Sequence, residues 1–191
     1  VLNSTAGKEI GLPLTEGRWA LLGRASGFRP TVERHLAEFD GAAKSAGAVS
    51  TDTLADDVAA RVWTDYIRSA AKRRWSAGVL VCRLALPPAA AGRIADQLAQ
   101  HGERPAVWAE ATGAVFWSVP AASAGDASQI VVPLRALAEA EGGALVVENY
   151  ADGDSLDIWG QPGGPLALMR ALKAHYDPNG TLNPGRYVGG I

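Results

Sequence analysis

Along residues 78–150 the apolar positions recur first every second residue, then every third or fourth, then every second again. Alternation over 80–86, 106–111, 114–120 and 144–148 predicts four half-buried strands. The wider spacing over 89–101 and 128–141 predicts two helices, the second turning Val131, Leu134, Leu137 and Ala138 inward. Pro87-Pro88 separates the first strand from its helix, and Thr112-Gly113 supplies a two-residue hairpin turn. The order β-α-β-β-α-β is that of the ferredoxin-like arrangement, an α+β antiparallel sheet with its helices on one face.

The flanks read less regularly. Residues 19–26 (WALLGRAS) predict a strand that leaves a Gly17-Arg18 turn and is closed by Gly27. Thr31 is placed to cap a helix that turns Val32, Leu36, Phe39 and Ala43 to one side. A second helix is expected over about 53–71, with Thr53 and Asp56 as a capping box. Val58, Val62, Trp63, Tyr66 and Ile67 form its apolar stripe. Lys72-Arg73-Arg74 then reads as a solvated helix end, where cations suit the dipole. This early strand and helix are expected to extend the sheet at one edge. Beyond the last strand, 151–155 predicts a turn and 161–165 a helix start at Pro165. Residues 166–176 form an amphipathic helix with Leu168, Met169, Leu172 and Tyr176 in line.

Alternation also assigns the faces of the sheet. Leu80, Cys82, Leu84 and Leu86 fall in one row with Val107, Ala109, Ala111, Val115, Trp117, Val119, Leu145 and Val147, and this row is expected to pack under the helices. The opposite row carries Val81, Arg83, Trp108, Glu110, Phe116, Ser118, Val146 and Glu148. With both crossover helices on the first face, the second must be solvated or covered by something else. Trp108 and Phe116 across a hairpin favour cover.

Composition narrows the function classes. The 191 residues are 48% hydrophobic, which suits a globular chain of one large or two small domains. Eighteen basic and twenty acidic residues nearly cancel, so no basic field calls for nucleic acid. Cys82 is the sole cysteine, which excludes an internal disulfide and a thiolate metal cluster. No run approaches the ~20 apolar residues of a membrane span, and no signal peptide is expected. His35, His101 and His175 lie far apart, no metal-binding histidine spacing occurs, and nucleophile-elbow, P-loop and dinucleotide-binding motifs are missing. A cytoplasmic location fits these features.

The chain then closes on HYDPNGTLNPGRYVGGI (175–191), a succession of turn-forming dipeptides after a helix. Such a tail is a structured excursion that needs a surface to lie against. The stretch 168–190 resembles the C-terminal signature of FAD-linked oxidoreductases of the vanillyl-alcohol oxidase type: a helix, Asp-Pro-x-Gly, a hydrophobic pair, then Asn-Pro-Gly-Arg or Lys. Here Asp177-Pro178-Asn179-Gly180 and Leu182-Asn183-Pro184-Gly185-Arg186 follow that order. LRALAEAEGGALVVEN, Asp157-Ile158-Trp159-Gly160 and GRWALLGRASGFRPTVERHLAEF are similar to the branch that holds the FAD-binding subunit of bacterial glycolate oxidase.

The resemblance implies a division of labour. Residues 1–176 would form a cap over the substrate and 177–191 a tail docking on an N-terminal FAD domain that these residues do not contain. The activity implied is oxidation of a 2-hydroxy acid such as glycolate by hydride transfer to FAD. Partner subunits, an iron–sulfur subunit among them, and attachment to the inner membrane through them would follow. On this basis Arg83 is expected to pair with the substrate carboxylate and Glu148 to act as base or orienting acceptor. Trp108, Glu110, Phe116 and Asn149 would face the substrate, and Asn183 and Arg186 would hold the tail near the cofactor. The structural alternatives stand beside these: a simple Arg83–Glu148 cross-strand pair and Asn183 as a turn residue. Relatives that use a divalent metal carry Glu-His-Gly at the strand end, whereas Glu148 is followed here by Asn149, so no metal is expected. The other readings are a non-catalytic assembly or electron-routing domain and a free-standing ferredoxin-like ligand-binding module.

Overall fold

A computed structural model describes residues 1–12, 19–102, 104–120, 127–150 and 156–191. The Gly17-Arg18 turn and the 151–155 turn lie outside the described residues. Six strands form one antiparallel sheet, with β1 (Leu2–Asn3), β2 (Trp19–Ala20), β3 (Val79–Ala85), β4 (Ala106–Ala109), β5 (Ala114–Pro120) and β6 (Ala144–Asn149) in the order β2-β1-β4-β5-β3-β6. The quartet β4-β5-β3-β6 has the ferredoxin-like order. Its crossover helices are α4 (Pro88–Leu98) and α5 (Ala127–Ala140). No described helix is long and apolar enough to cross a membrane.

The predicted core row is buried with one exception. Leu80, Cys82, Leu84, Val107, Val115, Trp117 and Leu145 pack with Ile94 and Leu98 of α4 and Val131, Leu134 and Ala138 of α5. Ala111 is exposed because the hairpin turns earlier than predicted. Ala109 pairs with Val115, and the Glu110 N–H donates to Ala114 O, which leaves Ala111–Gly113 as a three-residue loop. Gly113 closes it at φ +92°, where a Cβ would sit 2.0 Å from Leu86 O, so no other residue fits. Burial pushes the Cys82 thiol up to about 12, which removes it as a nucleophile at neutral pH.

The flanks depart from expectation. The strand over 19–26 is formed only at Trp19–Ala20. It reaches the sheet through β1, which pairs with it and with β4. Asn3 ends β1 and caps α1 (Ser4–Glu9), its Oδ1 accepting from Ala6 N and Val107 N while its Nδ2 donates to Pro105 O. The next helix, α2 (Arg29–Ser45), starts before Thr31, with Phe28 at its N-cap and Pro30 in its first turn. Pro has φ already set for this position, so no side-chain cap is needed. Nor does Thr53 cap α3 (Asp56–Trp75), which begins after Ala55 with Asp56 and Asp57 complementing its dipole.

The largest departure concerns what covers the second face of the sheet, expected to close over the substrate. Val62 of α3, with Val58 and Tyr66 beside it, packs onto Leu2, Ala6, Ile10, Ala106, Trp108 and Phe116. The apolar stripe of α3 and the aromatic pair on the sheet each needed cover, and they supply it to each other. Ile67 falls outside that contact and stays exposed.

The final helix, α6 (Leu166–Tyr176), follows Pro165 as predicted and buries no residue. Asp177 ends it.

Candidate functional site

The α3-covered face collects most of the predicted site residues. Trp108 lies directly opposite Phe116, and the rings stack 5.1 Å apart and 7° from parallel. The Arg73 guanidinium sits over Trp108 at 4.7 Å. It also donates to Ser118 Oγ and pairs with Glu9 of α1. Burial lowers Arg73 to about 10, so the guanidinium stays charged at neutral pH and its partners offset the desolvation. Lys72-Arg73-Arg74 is therefore not a solvated helix end as a whole: Arg73 is buried in the face and Arg74 reaches the sheet. Sequence spacing could not show this, because the same cations suit a helix C-terminus in water.

Glu110 accepts from the Tyr66 hydroxyl at 3.3 Å. Burial, with the Glu110 carboxylate adding to it, pushes the Tyr66 phenol up to about 12. Tyr66 thus remains a neutral donor to that carboxylate. Trp108 is buried by these contacts, whereas Phe116 is half-buried and keeps part of its surface free.

Arg83 and Glu148 do meet. The register between β3 and β6 shifts between Val81↔Asn149 and Cys82↔Val147, which leaves Glu148 as the extra residue of a bulge. Glu148 Oε1 accepts from Arg83 Nε at 2.9 Å, and its Oε2 accepts from Arg74 Nε and Nη2 at 3.1 and 2.8 Å. Asn149, the next residue, donates through Nδ2 to the carbonyls of Arg73 and Ser76 at 3.0 and 2.7 Å. Its amide is thus the C-terminal clasp of α3, which has unsatisfied carbonyls there. Asn149→Ala should lower stability by about 1–3 kcal/mol, since both carbonyls lose their donor. An unchanged denaturation midpoint in urea would show that solvent replaces the amide without loss. Among the described residues no three His, Cys, Asp or Glu side chains are grouped to hold a metal ion.

The tail forms a second assembly, away from this face. Asp177 Oδ1 accepts from Thr181 N and Oγ1 at 2.9 and 3.0 Å, and Oδ2 from Leu182 N at 2.9 Å and Lys173 Nζ at 2.6 Å. Lys173 and the two loop N–H groups hold the Asp177 carboxyl well below the usual carboxylate range. The carboxylate is covered by its own loop rather than by a deeper layer of protein. Lys173 also donates to Leu182 O, and Arg170 to Gly189 O at 3.2 Å. Asn183 turns the chain at φ +48°, its carbonyl accepting from Arg186 N.

Two stretches singled out by resemblance meet under this tail. Arg135 of α5 pairs with Asp157 at 3.3 Å, and Gly160 closes against it at φ +79°, where a Cβ would lie 2.9 Å from Arg135 Nε. Asp157 Oδ1 in turn accepts from Trp159 and Gly160 N–H, and Trp159 meets Tyr187 edge-on at 4.8 Å. An open groove of about 550 Å³ runs between 157–162 and 185–190, with Trp159, Gln161 and Arg186 among its lining. Arg186 is exposed and has no ion-pair partner among the described residues. A cofactor-sized site buries most of its ligand. This open groove, with Arg186 the one cation in its lining, does not enclose a ligand of that size.

Arg73, Arg74, Tyr66 and Asp177 are the participants that sequence reading passed over. Only Asp177 left a local signal, an Asp followed by Pro-Asn-Gly-Thr, which is the composition of a side-chain-bridged turn. No curated protein matches the chain. Residues 162–187, which span α6 and the Asp177 turn, match the family model described as FAD linked oxidases, C-terminal domain.

Proposed function

We propose that this chain is the C-terminal cap domain of an FAD-dependent oxidoreductase that oxidises a 2-hydroxy acid such as glycolate. The observation that carries the reading lies in the matched segment itself. Its backbone is locked by Asp177 and Lys173, yet Leu168, Leu172, Tyr176 and Leu182 are 48–77% exposed. A row of apolar side chains on a rigid support is a surface made to be covered. An N-terminal FAD domain of the same protein is the partner that the family match implies. The chemistry a bound flavin supplies is acceptance of a hydride from the carbon bearing the hydroxyl. The residues of this chain would orient the substrate, exclude water and, through Asn183 and Arg186, brace the tail beside the cofactor.

A second reading keeps the flavoprotein but not the substrate chemistry: a domain that assembles with partner subunits, an iron–sulfur subunit among them, and routes electrons. Its support is that Asn149, where metal-using relatives carry histidine, spends its amide on α3. The natural full-length gene product, purified alone, separates the two by visible absorption under argon. A flavin spectrum that bleaches with glycolate is the expected result. A flavin spectrum that glycolate leaves oxidised supports the assembly reading, and a colourless protein overturns both.

A further inference from the structure

The bulge in β6 is the least regular point of an otherwise even ladder, and it serves one cluster. By adding a residue it brings Asn149 onto the face where alternation already places Glu148, so Asn149 clasps the end of α3 while the carboxylate meets Arg83 of β3 and Arg74 of α3 together. Bulges re-aim a side chain in this way at functional positions. Two guanidiniums share one carboxylate, so the cluster holds a surplus positive charge. The Glu148 side chain is only 12% exposed, while those of Arg83 and Arg74 are 35% and 47% exposed. The carboxylate is the covered floor and the cations form its rim.

The hydrogen bonds show which edge of Arg83 is left. Arg83 gives Glu148 only its Nε, so its Nη1 and Nη2 have no partner among the described residues. A guanidinium held through Nε is fixed in direction, and its remaining edge is a planar two-donor fork that matches a carboxylate. Both oxygens of Glu148 are already engaged by guanidinium N–H groups. We propose that Glu148 is not a base but a positioning residue, which, shared with Arg74, aims the free edge of Arg83 at the carboxylate of a small hydroxy acid. The inference rests on the cap-domain reading and adds to it the group that selects acids over neutral alcohols.

The test uses the full-length natural protein and two readouts, steady-state oxidation of glycolate and binding of oxalate by ligand-observed NMR. Arg83→Lys keeps the charge and loses the fork. It should weaken oxalate binding and raise KM for glycolate by about 10- to 100-fold, the worth of a charge-assisted hydrogen bond. Glu148→Gln should act in the same direction, with the loss chiefly in KM. A Glu148→Gln enzyme that loses kcat but binds oxalate as before is using Glu148 as a base, and the inference falls. If Glu148→Gln does not fold, Arg83→Lys decides alone: unchanged oxalate binding overturns the proposal. Oxalate binding needs no turnover, so the two readings fail separately. A colourless protein that binds oxalate through Arg83 keeps the anion site and loses the oxidoreductase. A yellow protein whose oxalate affinity ignores Arg83→Lys keeps the oxidoreductase and loses the anion site.

Discussion

Trp117→Ala should lower the thermal unfolding midpoint by about 10 °C. The estimate comes from about 3–5 kcal/mol for truncating a buried tryptophan and roughly 2–4 °C per kcal/mol in a domain of this size. Trp117 is wholly buried between β5 and α4, so little rearrangement can close the void. Its indole N–H is shared between Leu98 O at 3.1 Å and His101 O at 3.2 Å, where α4 ends. Trp117→Phe separates the two contributions. It keeps most of the ring and strands the carbonyls, at a cost of about 1–3 kcal/mol. Differential scanning calorimetry on the three proteins gives the comparison. An alanine variant melting within about 2 °C of the parent would mean that the core is not packed around this residue.

The second large effect is at Asp177. Asp177→Ala removes the acceptor for Thr181 N, Thr181 Oγ1, Leu182 N and Lys173 Nζ at once. Chymotrypsin at pH 7 should then cut first within 176–187, at Tyr176, Leu182 or Tyr187, while the parent resists there. Acid should reproduce the effect without mutation. The folded carboxyl lies below its unfolded value, so its contribution is complete above the unfolded range near pH ~4. It declines as the pH falls below that and is gone only once the lower folded value is passed. Pepsin digestion of the parent across acidic pH should show tail cleavage rising progressively below that range. Equal cleavage of parent and variant at pH 7 would show that Arg170 and Lys173 hold the tail unaided.

The central sheet was legible because its signal is redundant. In 80–86 and 114–120 alternation, β-branched content and bounding prolines or glycines agree, and Leu80, Cys82, Leu84, Val115, Trp117 and Val119 are all buried as a row. β1 was not legible, since Leu2–Asn3 is too short to show a period and forms only because β4 offers an edge. The overlong strand over 19–26 has the opposite cause. Apolar composition suggested pairing, yet past Ala20 the chain turns away and Phe39 rests against Gly23.

The candidate site was legible in membership more than in arrangement. Arg83, Trp108, Glu110, Phe116 and Glu148 lie on the same face, as alternation required, and Asn149 joins them only through the bulge. What periodicity could not supply was the bulge, which is a single-residue change of register, and the direction in which α3 crosses the sheet. Both decide which polar groups meet: Arg73 with Trp108, Arg74 with Glu148, Asn149 with the end of the helix. The turns of the tail were likewise plain in Asp-Pro, Asn-Gly and Pro-Gly, but not that Asp177 would gather them.

That gathering has a thermodynamic consequence. Fixing a residue's backbone costs about 1–2 kcal/mol of conformational entropy. For the turn after α6 that cost is met within the chain, by hydrogen bonds that need no second body. Whatever covers Leu168, Leu172 and Leu182 therefore meets a shape already made. Association at that surface should proceed as the docking of rigid bodies, its rate set by diffusion and orientation and not by the folding of a loose end.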